Sequence, residues 1–186
     1  LHIYGNVEKE ATGKVRTRMV IGADGARSEV ARQHIPNAEK TKYVFAYHEI
    51  VQSPLGQENH DGERCDVYYQ GEVSPDFYGW VFPHGKTMSI GTGSADKGYS
   101  LRSATARLRQ IAGFSDLPIL RREGAPIPLN PLPQWDNGPD AAVVGHAAGV
   151  VAPSSGEGIY YAMDSARTMA RAAHEALKFA HPKYPK

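Results

Sequence analysis

The sequence predicts a mixed α/β fold in which two β-turn-α units flank an inserted antiparallel sheet. Three patterns lead there. Near the start, the apolar stretch Met19-Val20-Ile21-Gly22 runs into Ala23-Asp24-Gly25 and then into a short helical pattern. Later, Ala141–Val144 passes through a small-residue turn into a long helical pattern that begins near Ile159. Between them, from Tyr43 to Gly93, residues alternate with the period of two that marks half-buried strands.

Taken in order, Leu1–Tyr4, the turn Gly5-Asn6 and Gly13–Val20 read as the end of a hairpin feeding the first strand. The Gly-Ala-Asp-Gly turn before the expected Glu29–His34 helix is how nucleotide-binding α/β proteins set a carboxylate and bare backbone beside a ligand. An Asp-Gly pair equally makes an ordinary tight turn. Tyr43, Phe45, Tyr47, Glu49 and Val51 alternate with Val44, Ala46, His48 and Ile50, so this strand has two different faces.

A polar insertion, Ser53–Arg64, leads to a strand over Cys65–Gln70. Phe77–Pro83, a turn at His84-Gly85-Lys86 and a return strand over Thr87–Thr92 make a hairpin. Period two puts Tyr78, Trp80 and Phe82 on one face, which the sequence alone assigns to core packing ahead of the wall of an apolar pocket. Ser100 is the expected N-cap of a helix reaching Ala112, with Arg102, Arg107 and Arg109 on its solvated side. Arg121–Pro133 carries Pro126, Pro128, Pro131 and Pro133 and reads as a crossing segment or edge strand.

The chain is organised around its last β-turn-α unit. Ile159, Met163, Ala166, Ala170, Ala173 and Leu177 recur at three- and four-residue intervals and share one face of a long helix. Gly156 and Gly158 precede it without side chains, so a ligand lying there would meet backbone amides directly. Unpaired amides and the positive end of a helix favour an anionic or electron-rich group. The alternative is a strand, loop and helix packed through small residues with nothing bound.

Composition narrows the classes. Lys and Arg total 21 against 20 Asp and Glu, which is no footprint of a nucleic-acid binder. The single cysteine, Cys65, excludes an internal disulfide and reads as a small buried side chain in a reducing compartment. No metal is assigned. The most apolar window, Ala141–Pro153, is too short to span a bilayer and is interrupted by His146. A start at Leu1 inside strand-like sequence and an end in His181-Pro182-Lys183-Tyr184-Pro185-Lys186 are expected of the middle and later part of a larger protein.

Three motifs carry a family resemblance. Val20-Ile21-Gly22-Ala23-Asp24-Gly25-Ala26-Arg27-Ser28 resembles the DG motif of flavoproteins with the p-hydroxybenzoate-hydroxylase-type fold. Gly145-x-Ala147-Ala148-Gly149 through Pro153-x-x-Gly156-x-Gly158 resembles their later GD motif, with His146 where Asp is usual. Tyr78-x-Trp80-x-Phe82-Pro83 and Gly156-Glu157-Gly158-Ile159-Tyr160-Tyr161-Ala162 resemble the geranylgeranyl reductases of chlorophyll and bacteriochlorophyll synthesis.

That resemblance implies part of an FAD/NAD(P)-binding three-layer domain with an inserted antiparallel β-sheet substrate domain. Residues 1–40 and 126–180 would belong to the first, 41–125 to the second, and 181–186 to a tail. It implies an FAD-dependent, NADPH-driven reductase that converts a geranylgeranyl chain, on a pigment or on diphosphate, to phytyl. Asp24, Gly25, Arg27, Gly145, His146, Ala147, Gly149, Pro153, Gly156, Gly158 and Ile159 would bind the cofactor. Tyr78, Trp80 and Phe82 would line the prenyl pocket, and Tyr78 and His84 are the candidate proton donors by chemistry. The implied setting is cytoplasmic, peripheral at photosynthetic membranes through transient contact of the lipid substrate, with no nucleic-acid partner. Two other readings stay open: a flavin aromatic-ring monooxygenase on the same scaffold, and a non-catalytic prenyl-pigment-binding module.

Overall fold

A computed structural model describes residues 17–54, 56 and 60–179, so the hairpin expected before Thr17 and the tail lie outside the described residues. The two β-turn-α units meet in space. Strand β1 (Val20–Gly22) pairs in parallel with β7 (Ala141–Val143), although the whole inserted sheet separates them along the chain. Helix α1 (Glu29–His34) packs against this pair through Ala31 and Ile35, which join Leu132, Val143, Ala147, Ala148 and Val150 in one apolar cluster. Ser28 caps α1 by accepting from the Ala31 N–H at 2.8 Å.

The inserted sheet has five antiparallel strands in the order β3-β4-β5-β2-β6. They are β2 (Tyr43–Gln52), β3 (Asp66–Tyr68), β4 (Gly79–His84), β5 (Thr87–Ser94) and β6 (Ile119–Pro128). The Pro-rich stretch is thus an edge strand, beginning earlier and ending sooner than its prolines alone suggest. Pro126 and Pro128 pair with Phe45 and Tyr43, tolerable because the outer side of an edge strand needs no donor. The expected boundary between residues 125 and 126 falls inside this strand. Cys65 lies just before β3 and is exposed, not buried as its residue type suggested.

Helix α2 (Leu101–Ile111) covers one face of the sheet, and Val51, Val73, Val81, Met88, Ile90 and Leu108 form the core between them. Two sequence expectations change here. Arg109 is not solvated: it is 7% exposed and its Nη1 donates to the equally buried Glu49 at 3.0 Å. Its other N–H groups donate to the carbonyls of Phe114, Ser115 and Leu117. Thr105, Leu108 and Arg109 fall on one side of the helix, so the side that buries Leu108 buries the guanidinium as well. Two residues of the aromatic stripe, Trp80 and Phe82, are also not core, whereas Tyr78 is buried. Val81, between Trp80 and Phe82, points into the α2 layer, and the alternation of β4 puts those two half-buried rings on the opposite face.

Helix α3 (Ile159–Phe179) follows the last turn. Its expected apolar face is largely open: Ile159 and Met163 are 77% and 70% exposed, while Ser165 and Ala173 are buried. Among the described residues the helix is anchored mainly through its first turns, where Gly145 N–H donates to Ser165 Oγ at 3.0 Å. No described helix is long and apolar enough to cross a membrane.

Candidate functional site

The parallel β1–β7 pair ends in two turns, and α3 starts beside them. Ala23 and Gly25 from the first turn, Gly145 and His146 from the second, and Gly156, Glu157, Gly158, Ile159 and Ala162 from the start of α3 line one cleft of about 540 Å³. Its walls are mostly backbone and small side chains. Six of the residues singled out from the sequence thus come together: Gly25, Gly145, His146, Gly156, Gly158 and Ile159.

His146 is, with Glu157, one of the two polar side chains lining this cleft. It sits in the single 3-10 turn Gly145–Ala148 that follows β7. Its Nε2 is buried and has no hydrogen-bond partner among the described residues. Burial pushes the imidazole pKa below its ordinary value, against an opposing pull from the Glu157 carboxylate. The ring is therefore neutral at pH 7. It presses on the start of α3 so closely that a Cβ on Gly158 would stand 2.2 Å from Nε2, a contact only glycine permits.

Glu157 is committed locally, as its Oε1 accepts the Tyr160 N–H at 2.9 Å. It lies two residues before α3, a position where the helix N-terminus favours a carboxylate.

The remaining candidates lie around the cleft or serve the fold. Arg27 and Ala147 line a neighbouring hollow of about 370 Å³ that His146 also borders. Asp24 turns back onto helix α1: its Oδ2 accepts the Glu29 and Val30 N–H groups at 2.8 and 3.3 Å, and its Oδ1 accepts Ser28 Oγ–H at 2.5 Å. Partial burial raises its pKa, but the bonds from Ser28, Val30 and Glu29 outweigh that and hold it below the ordinary carboxylate value. Gly149 caps the 3-10 turn with φ of 73°, where any Cβ would meet Asn130 O at 2.4 Å. Pro153 is exposed in the loop before α3, and neither residue lines the cleft.

The open face of the five-stranded sheet approaches the same cleft. Tyr78 is buried and its hydroxyl donates to the Ser155 carbonyl. Burial, with a smaller contribution from Tyr69, raises the phenol's pKa. Phe77 stacks on Tyr78 with ring centroids 4.3 Å apart and reaches to Gly156, whose absent Cβ would be 3.2 Å from its ring tip. Trp80 and Phe82 continue the row, their rings 6.3 Å apart. His84 is exposed at the β4–β5 turn, at the far end of this strand from Tyr78.

Sequence reasoning missed Phe77, His48, Ser89 and Glu123 on this face. The two-faced alternation of β2 was the available signal for His48. Ser89 carried none.

The comparisons bear on this arrangement. No protein-family model matches the chain. It is 57% identical over 169 residues to the geranylgeranyl diphosphate reductase of Rhodobacter capsulatus, covering 91% of this chain and 43% of that protein. It is 38% identical over 174 residues to the chloroplastic geranylgeranyl diphosphate reductase of Oryza sativa, covering 91% and 37%.

The chain is homologous to a segment of the geranylgeranyl reductases. It spans less than half the length of these curated geranylgeranyl reductases. Among solved structures, a geranylgeranyl bacteriochlorophyll reductase-like protein from Thermoplasma acidophilum matches with a TM-score of 0.73 at 24% identity, over 88% of this chain and 42% of that one. A flavin-dependent halogenase matches with a TM-score of 0.63 at 17% identity, over 91% and 32%. The fold is therefore the mixed α/β fold of these proteins, with its antiparallel sheet inserted between the two β-turn-α units.

Proposed function

We propose that this protein is an FAD-dependent oxidoreductase that uses NADPH to reduce the double bonds of a geranylgeranyl group. The observation that carries the reading is the 57% identity to a geranylgeranyl diphosphate reductase along 91% of the chain. The likeness of the fold to flavin-dependent enzymes agrees with it.

The residues present fit a flavin. The cleft is lined by four glycines and bordered by the unpartnered, buried Nε2 of His146. Gly25, Gly145, His146, Gly156, Gly158 and Ile159 would hold the cofactor. When bound, it supplies a hydride. The start of α3 offers backbone amides and a positive dipole end that favour negative charge. His146, neutral at pH 7, brings a hydrogen-bonding nitrogen without adding charge there.

The open face of the inserted sheet supplies the apolar side. Trp80 and Phe82 present flat, half-buried rings suited to an isoprenoid, which offers apolar surface alone. Isolated alkenes are poorly electrophilic, so holding the chain in place and excluding water contribute more than polarisation. Tyr78, whose proton is held on Ser155 O, ties this face to the loop before α3. The cofactor unit is proposed to comprise 1–40 with 129–180, and the prenyl unit 41–128, which keeps β6 with its sheet.

The test is anaerobic incubation of the intact protein with FAD and NADPH. Geranylgeranylated bacteriochlorophyllide and geranylgeranyl diphosphate are supplied in parallel, and the chain is followed by mass spectrometry. Stepwise gain of hydrogen pairs on either substrate is expected, and which one gains them identifies the carrier. Absence of gain with oxygen-dependent NADPH consumption on phenols would replace the reading by an aromatic-ring monooxygenase. Absence of both gain and flavin would leave a prenyl-binding module.

A further inference from the structure

The open face of the sheet carries one polar chain amid its aromatic residues. Trp80 Nε1 lies 3.0 Å from Ser89 Oγ, Ser89 Oγ lies 2.7 Å from His48 Nδ1, and His48 Nε2 lies 3.1 Å from Glu123 Oε2. Four strands contribute: β4, β5, β2 and β6. They share a face because Trp80, Gly91, His48 and Glu123 lie in register across the sheet, with Ser89 two residues from Gly91.

With His48 in its neutral form, the chemistry of the groups fixes the direction of every bond. An indole N–H only donates, so Ser89 Oγ accepts from Trp80. An ionised carboxylate only accepts, so a neutral His48 carries its proton on Nε2 and leaves Nδ1 to accept. The Ser89 O–H must then donate to Nδ1. The chain runs one way, Trp80 to Ser89 to His48 to Glu123, and Arg121 Nε holds its far end at 2.7 Å from Glu123 Oε1.

The indole is constrained from below as well. A Cβ on Gly91 would lie 2.5 Å from Trp80 Cζ2 and 2.5 Å from His48 Cβ, so the ring rests on bare backbone. Ser89 beneath it is 5% exposed. Close approach over Gly91 sets the height of the ring, and the Ser89 bond sets its rotation about the Cα–Cβ and Cβ–Cγ bonds. Replacing Ser89 or His48 with an apolar residue would leave the wall more apolar but would remove the one directional contact on the indole.

We propose that Ser89, His48 and Glu123 are positioning residues that lock the Trp80 ring and so shape the wall along which an extended apolar chain is held. The inference rests on the reading of that face as the prenyl site. Both ring nitrogens of His48 are engaged within the chain, so its role is to hold Trp80 through Ser89 rather than to pass a proton to substrate.

The test uses the intact protein labelled with 5-fluorotryptophan, with the Trp80 line identified by its loss in Trp80→Phe. Ser89→Ala should shift or broaden the Trp80 resonance and leave that of Trp135 unchanged. It should raise KM for the geranylgeranyl substrate roughly three- to tenfold, the scale of one neutral hydrogen bond, with kcat changed less. Glu123→Gln, on an exposed side chain, should act in the same direction with smaller effect and no loss of folding. An unmoved Trp80 resonance in Ser89→Ala overturns the lock. A moved resonance with KM unchanged overturns its link to the substrate. If the unaltered protein reduces no geranylgeranyl substrate, the functional reading fails, and the resonance still decides whether the chain fixes the ring.

Discussion

Replacing Gly158 by Ala would drive a methyl group into the imidazole of His146. The new Cβ would lie 2.2 Å from Nε2, 3.1 Å from Cδ2 and 3.2 Å from Cε1, so the ring edge must retreat by about 1.2 Å to reach an ordinary contact of 3.4 Å. Overpacking of this kind costs about 1–3 kcal/mol. The backbone of Gly158 is not in the left-handed region, so alanine there meets no conformational strain. With the ring gone, the same substitution should stabilise by about 0.4–1 kcal/mol, through the smaller entropy of the unfolded chain.

The assay is a double-mutant cycle of Gly158→Ala and His146→Ala, read by thermal unfolding and by flavin retained after gel filtration. Gly158→Ala alone should lower Tm by roughly 2–4 °C per kcal/mol for a chain of this size, and should weaken flavin retention. In the His146→Ala background it should leave Tm unchanged or slightly raised. A coupling of about 2 kcal/mol would result. Equal loss in both backgrounds would refute the argument, because His146 would then not occupy the space beside Gly158.

Three further outcomes are expected. Arg109→Ala should destabilise by about 1.5–3 kcal/mol in urea unfolding, since Glu49 at 8% exposure loses its buried partner and keeps only Tyr47 Oη at 3.1 Å and the exposed Arg122 at 3.3 Å; a change below about 1 kcal/mol would return Arg109 to the solvated face. Asp24→Asn should cost about 1 kcal/mol near pH 7 by weakening the cap on α1. Because the folded pKa of Asp24 is depressed, its contribution is complete above the ordinary value of 3.8 and is lost as pH falls through the lower folded value. The gap between parent and variant should therefore close in acid, and a gap constant with pH would show that the charge plays no part. Trp80→Ala should weaken reduction of the prenyl chain more than flavin retention; equal loss of both would assign Trp80 to the fold.

The local elements were legible in the sequence because their signals are local. The period-two alternation of Tyr43–Val51, the cap at Ser100 before Leu101–Ile111 and the spacing from Ile159 onward each depend on neighbours a few residues away. The small-residue turns were equally visible, and the three motifs in order pointed to the geranylgeranyl reductases without any coordinates. Long-range placement was not legible. Period two groups Tyr78, Trp80 and Phe82 but does not say which side of the sheet helix α2 will cover, so it does not separate Trp80 and Phe82 from the core that Val81 enters. Helical spacing likewise permits Arg109 to be wet or buried, and only Glu49 on a distant strand decides it. The meeting of Gly25 with Gly156 across the β1–β7 pair, and the run from Trp80 to Glu123 across four strands, are products of strand order. Strand order is a property of the whole chain, because each pairing depends on the burial of every other face.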